Sequence, residues 1–205
     1  LSSAMGLVQF FGQAEFLAPA VHGPAYRGDA MGNWRQRNHL GRLLAMGILA
    51  VLIWRALALS MAHTLWMLAL LATGMAATAS RTGLLQLVFI AVWMLLHRAA
   101  PKGREALVLT GLVLGVYALA SWLLPGLLQH LSGQATDSAM ARMGALGGCG
   151  SRQALWANVL HLVAQHPLGG WGWDQLRYAH YITEYPSLRF CDMLGNAHNL
   201  PLHIA

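Results

Sequence analysis

The chain has 205 residues, 57% of them hydrophobic and only 10% charged, with a mean hydropathy of +0.48. An ordinary soluble domain carries about 25% charged residues, so this composition excludes one and predicts an all-α, polytopic integral membrane protein. The formal charge is +6, and of the basic residues only Lys102 is a lysine. The arginines are scattered rather than clustered, which excludes the basic runs of a nucleic-acid binder. Arginine dominance suits bidentate phosphate recognition or reflects a GC-rich genome.

The chain opens on Leu1 and stops at Ala205 within an apolar run, so it reads as a fragment with helices missing at both ends. Leu1–Phe11 has the character of a helix end. Gly12, Pro19, Gly23, Pro24 and Gly28 then mark a loop, and residues 1–39 together form a helix end plus an external loop. The loop closes on Asn33-Trp34-Arg35-Gln36-Arg37-Asn38-His39, a cluster of hydrogen-bond donors just ahead of an apolar run. Such a cluster is suited to gripping a headgroup, or forms the aromatic and basic belt of a membrane interface.

Four apolar runs are expected to cross the membrane between residues 40 and 124. They are Leu40–Trp54, His63–Ala79, Leu84–Leu96 and Ala106–Leu124. The first is short of the ~20 residues needed to span comfortably, and Arg42 and Arg55 extend it by snorkelling. Gln86 is positioned to bond a neighbouring helix. Pro125-Gly126 is expected to close the fourth run. The densest basic loop, His97–Arg104, goes to the cytoplasm by the positive-inside rule. That orientation places Ser80–Gly83, residues 1–39 and the long segment 125–197 outside, although Arg27, Arg35, Arg37, Arg81, Arg142, Arg152, Arg177 and Arg189 then outnumber the cytoplasmic bases.

In the external segment, Ser151 is a good N-cap for a helix over Arg152–Gln165, with Leu155, Val159, Leu162 and Val163 as its apolar stripe. A second short helix is expected over Asp174–Ile182. Trp171, Trp173, Tyr178, Tyr181 and Tyr185 make an aromatic patch suited to sugar rings or to the bilayer interface. Cys149 and Cys191 pair as one disulfide if this segment faces an oxidising compartment, and otherwise stay as two thiols. Residues 198–205 begin a further apolar run.

Arg81 stands between two apolar runs. A charge at membrane depth is ordinarily functional, and the partner expected here is an anionic lipid pyrophosphate; the alternative is an arginine snorkelling at a helix end. Arg152 opens a helix, and His198 sits at the mouth of the last run. An arginine pair holds a diphosphate and stabilises the charge that builds on it as it leaves. A neutral histidine accepts the proton of an attacking hydroxyl. No acidic cluster suited to a divalent cation is evident, so no metal or cofactor is expected.

Four segments in order carry a resemblance: Gly32–Leu40, Ser80-Arg81-Thr82-Gly83, Gly150–Trp156, and His166-Pro167 through Trp171-Gly172-Trp173 to Asn196-Ala197-His198-Asn199-Leu200. On this apolar background the chain resembles the bacterial O-antigen ligase superfamily, most nearly its O-linked protein oligosaccharyltransferase branch, the pilin glycosylase-like enzymes, with a ligase-like domain over about residues 64–205. The resemblance implies a multi-pass inner-membrane glycosyltransferase with its active site facing the periplasm. Such an enzyme moves a glycan from undecaprenyl diphosphate to a protein hydroxyl, without metal and with inversion. It makes Arg81 and Arg152 diphosphate-binding residues and His198 the base, with Arg35, Gln36, Arg37, Asn38, His39 and Asn199 near the substrate. Other acceptors in the superfamily are lipid A core and growing O-antigen. A lipid-linked glycan flippase is the expectation of a different class, but the matched pair of broken helices typical of a transporter is not evident.

Overall fold

The computed structural model describes residues 1–23, 27–133, 148–191 and 194–197. Among these residues the regular structure is helical and contains no strand, so the all-α expectation holds. The chain divides into two compact units, Leu1–Met143 and Gly144–Ala205.

The first unit is a bundle of α1 (Ser2–Phe10), α2 (Arg37–Leu57), α3 (Met61–Thr78), α4 (Arg81–Leu96) and α5 (Gly103–Ser132). Helices α2, α3 and α5 are long and apolar enough to cross a membrane. At 1.5 Å per residue, α4 with its 16 residues reaches about 24 Å, short of a hydrocarbon core of about 30 Å. Helix α3 is central and packs on α1, α2 and α5. Its last turns, Gly74–Thr78, are wholly buried because Gly74, Ala76 and Ala77 are small. In lipid, where burial of apolar surface gives no drive, small side chains let backbones approach and van der Waals contact accumulate. Any Cβ at Gly74 would collide with Ser3, whose hydroxyl donates to the Leu70 carbonyl. Large apolar side chains face outward instead, among them Leu85, Phe89 and Trp93 on α4 and Leu112, Leu119 and Trp122 on α5.

Several helix boundaries differ from those the sequence predicts; α4 starts at Arg81, ahead of the expected Leu84, because Ser80 caps it. Helix α2 begins at Arg37, so Arg37, Asn38 and His39 are its first turn and not the end of the loop. It also continues through Arg55, whose Nε donates to Glu105 Oε1 at 2.7 Å and whose Nη1 donates to the Leu59 carbonyl. Helix α5 runs straight through Pro125 and stops at Gly133, which has φ +69°. Proline is tolerated within spanning helices because neighbouring groups satisfy the backbone it frees, whereas a left-handed glycine is a true C-terminal stop. Gln86 Oε1 is buried with no hydrogen-bond partner among the described residues, so the expected bond to a neighbouring helix is not made through that oxygen.

The Arg55–Glu105 pair and the Lys102 ammonium donating to the Ala56 carbonyl tie the end of α2 to the start of α5. The starts of α2 and α4 lie at the opposite end, joined by the Asn38–Ser80 bond described below.

The second unit has its own core. Helix α6 (Arg152–Gln165) is capped as expected: the Ser151 hydroxyl accepts from Ala154 N–H at 3.2 Å. Leu155, Val159 and Leu162 pack with Ala179, Leu194 and Ala197. The short helix α7 spans Leu176–Ile182 and starts later than predicted, because Gly172 and Asp174 both take positive φ in the preceding turn. Cys149 and Cys191 are disulfide-bonded, their Cα atoms 5.2 Å apart. The expected aromatic patch divides. Trp171 and Tyr185 pack against the core, while Trp173, Tyr178 and Tyr181 stay exposed.

Candidate functional site

The elbow between α3 and α4 is two residues long. Helix α3 ends as the Thr78 hydroxyl donates to the Met75 carbonyl and accepts from Ser80 N–H. Ala79 turns the chain with φ +44°, a left-handed conformation costing an L-residue about 1–2 kcal/mol. Ser80 then caps α4 by accepting from Gly83 N–H at 3.1 Å. Its hydroxyl proton goes to Asn38 Oδ1 at 2.8 Å. The first turns of α2 and α4 therefore meet. The approach is close because both carry glycine: a Cβ on Gly41 would lie 3.1 Å from Ser80 Cβ and Oγ and 3.6 Å from Gly83 Cα.

Two helix N-termini thus lie side by side, each with unsatisfied N–H groups and partial positive charge. Arg81 is exposed at the first position of α4, and Arg35 and Gln36 are exposed just ahead of α2. His39 is exposed on the first turn of α2. Arg37 differs: its Nη2 pairs with Asp29 Oδ1 at 2.9 Å. Asn38 spends its carbonyl oxygen on Ser80, so it joins two elements within the protein. Asn33, expected among the headgroup donors, is also committed to the fold. It donates to the Ala20 carbonyl at 2.8 Å and accepts from His22 N–H at 3.0 Å.

In the second unit Arg152 is exposed at the start of α6. Arg81 and Arg152 belong to different units, and each is placed within its own. His198 and Asn199 lie outside the described residues. His180 is buried, with Nδ1 2.8 Å from the Tyr185 hydroxyl and Nε2 3.2 Å from the Phe190 carbonyl. The carbonyl only accepts, so Nε2 carries the proton and Nδ1 accepts from Tyr185. Burial, aided by the nearby Arg189 charge, lowers the His180 pKa from its ordinary value despite the bond to Phe190. Burial raises that of Tyr185, with Arg189 opposing. The Arg189 guanidinium also donates to the carbonyls of His180, Tyr181 and Thr183. This histidine is part of the fold.

Three residues that shape these regions were not evident from the sequence. Asp29 neutralises Arg37. Two buried amides, Gln9 and Asn158, hold loops by bonding their backbones. A signal existed for Gln9, since α1 buries Ser3, Gly6, Gln9 and Phe10, a stripe at helical spacing. Among the described residues, no group of three His, Cys, Asp or Glu side chains is placed to hold a metal ion.

Long helices with apolar outward faces define an all-α membrane protein. A family model described as O-antigen ligase matches residues 66–205. That match takes in most of α3, all of α4 and α5, and the second unit. The chain belongs to the O-antigen ligase family, whose members are membrane glycosyltransferase-like ligases that use a lipid-linked glycan donor and an acceptor. No curated protein and no solved structure matches it.

Proposed function

We propose that this chain moves an oligosaccharide from undecaprenyl diphosphate to a protein hydroxyl, in the inner membrane and at its periplasmic face. The observation that carries the proposal is the meeting of the α2 and α4 starts through Asn38 and Ser80, with Arg81 and Arg35 exposed beside it. Paired helix N-termini favour an anion, and arginine binds phosphate oxygens through a planar fork. Arg37 enters this reading as the anchor of Asp29, with Arg81 and Arg35 contacting the donor alongside Gln36 and His39.

Arg152 is proposed as a further cation on the diphosphate, His198 as the base and Asn199 as its polar neighbour, all by family resemblance. The acceptor oxygen forms a bond to the anomeric carbon from the face opposite the departing diphosphate. The carbon–oxygen bond to the diphosphate breaks, its electron pair leaves with the diphosphate, and the hydroxyl proton passes to the His198 imidazole. The anomeric configuration inverts, and the charge gathering on the leaving group is met by arginine without a metal.

The family's own description favours a second reading, with the same chemistry but lipid A core or growing O-antigen as the acceptor. One experiment separates the two. The protein, with Arg81→Ala, Arg152→Ala and His198→Ala variants at equal membrane levels, is expressed in a host that makes lipid-linked glycan. Glycan is then blotted on protein and on lipopolysaccharide. Loss of transfer in the variants, with wild-type glycan on protein, is the expected result. Wild-type glycan on lipopolysaccharide alone selects the second reading. Undiminished transfer by the variants contradicts the site.

A further inference from the structure

Among its described residues, the loop that delivers Arg35 and Gln36 to the start of α2 has as regular structure only the 3₁₀ turns Ala14–Leu17 and Gly32–Trp34. A loop of this kind orders its side chains only if its backbone is held elsewhere. Gln9 supplies the hold. Its side chain is fully buried, with 0% exposure. Its Nε2 donates to the His22 carbonyl at 2.6 Å and to the Gly32 carbonyl at 3.0 Å. Its Oε1 accepts from Met31 N–H at 3.0 Å and from Gly32 N–H at 2.7 Å. All four bonding positions of the amide are thus filled by loop backbone. Toward Gly32 the side chain behaves as a strand partner, giving one bond and taking one.

The consequence reaches the arginine in three residues. Gly32 has φ +57°, and a Cβ there would sit 3.4 Å from Leu40 Cδ1. It opens the 3₁₀ turn Gly32–Trp34, after which Arg35 takes φ +56° and Gln36 is extended. A positive φ is uncommon for a residue with a side chain, and at Arg35 it depends on where the turn begins. Asn33 fastens the same turn to Ala20 and His22 from the exposed side, and Gly28 N–H donates to the Phe10 carbonyl one residue beyond Gln9.

We propose that Gln9 is a positioning residue for the donor: it fixes the loop backbone so that Arg35 and Gln36 are presented beside Arg81 before the donor arrives. This rests on the donor-diphosphate reading of the site. Gln9 touches no substrate and acts through Gly32. Preorganisation of this kind removes an ordering cost from binding, so its loss falls on donor KM and leaves kcat nearly intact.

The test uses the full-length protein in detergent, with Gln9→Leu, Asn33→Asp and wild type at matched levels. Limited trypsin digestion compares cleavage after the exposed Arg27 and Arg35 with cleavage after Arg98 and Arg104 at the opposite end. Donor KM and kcat are measured with a short-chain polyprenyl diphosphate disaccharide. In Gln9→Leu, cleavage after Arg27 and Arg35 is expected to quicken about tenfold, with Arg98 and Arg104 unchanged. Donor KM is expected to rise about tenfold and kcat to stay within about twofold, since only part of the energy of the four lost hydrogen bonds is passed on to donor binding. Asn33→Asp replaces the bond donated to the Ala20 carbonyl with an oxygen–oxygen repulsion at an exposed position, and about a threefold change in the same direction is expected. It decides the matter if Gln9→Leu fails to accumulate. Unchanged cleavage after Arg27 and Arg35, or a fall in kcat with donor KM unmoved, overturns the proposal. A wild type that binds and turns over no lipid diphosphate sinks the donor reading instead, while the cleavage pattern still reports on the Gln9 hold.

Discussion

At the scale of single residues, what decides a side chain's role is what already occupies its bonds. Arg35, Arg37 and Arg81 are one residue type in one region, yet Asp29 takes Arg37 and leaves the other two exposed. His180 shows the same rule in the second unit, held by Tyr185 and Phe190. Because burial lowers its pKa, the unfolded chain binds this proton more readily than the folded one. Its contribution to stability is therefore complete above the ordinary histidine value of about 6.5 and declines as the pH falls below it. Thermal melts of the full-length protein between about pH 8 and about pH 5 should show the melting temperature dropping through the acid half of the range. His180→Gln should flatten that dependence, and an equal slope in the variant would remove His180 as its source. None of these partners was legible in the sequence, because Asp29, Tyr185 and Phe190 reach their targets through loops, where spacing carries no rule about contact.

At the scale of elements, helix existence was legible and helix ends were not. The four apolar runs of the first unit all became helices, since apolar length is a summed property that survives local errors. The stop signals were less secure. Pro125 and Gly133 lie eight positions apart on α5, and it was the glycine that ended the helix. Arg37–His39 were expected in a loop because they are polar, yet the first turn of a spanning helix lies where polar side chains meet water. The Ser151 cap follows from residue type. The close pairing of α2 and α4 did not, because it depends on Gly41 and Gly83 facing one another from distant parts of the chain. That pairing makes a sharp prediction. Gly41→Leu should overpack the junction by about 1–3 kcal/mol, lowering the melting temperature and transfer activity together. Gly111→Leu on α5, where a Cβ meets nothing within 4 Å, should leave both unchanged. Equal behaviour of the two variants in melts and transfer assays would mean that the α2–α4 contact does not matter.

At the scale of the whole molecule, composition alone separated a membrane protein from a soluble one, and four short segments in order pointed to the O-antigen ligase family, to which the chain belongs. The segment 32–39 lies ahead of the family match, yet it bonds to the elbow inside that match through Asn38 and Ser80. In the proposed function the arginine-bearing junction of α2 and α4 holds the donor's diphosphate. The most direct test is equilibrium binding of a polyprenyl diphosphate disaccharide to the full-length protein, comparing wild type, Arg81→Ala and Arg98→Ala. Loss of a charge-assisted bond of about 1.5–3 kcal/mol should weaken binding by Arg81→Ala roughly tenfold to a hundredfold, with Arg98→Ala matching wild type. Equal affinity in Arg81→Ala and wild type would contradict the account.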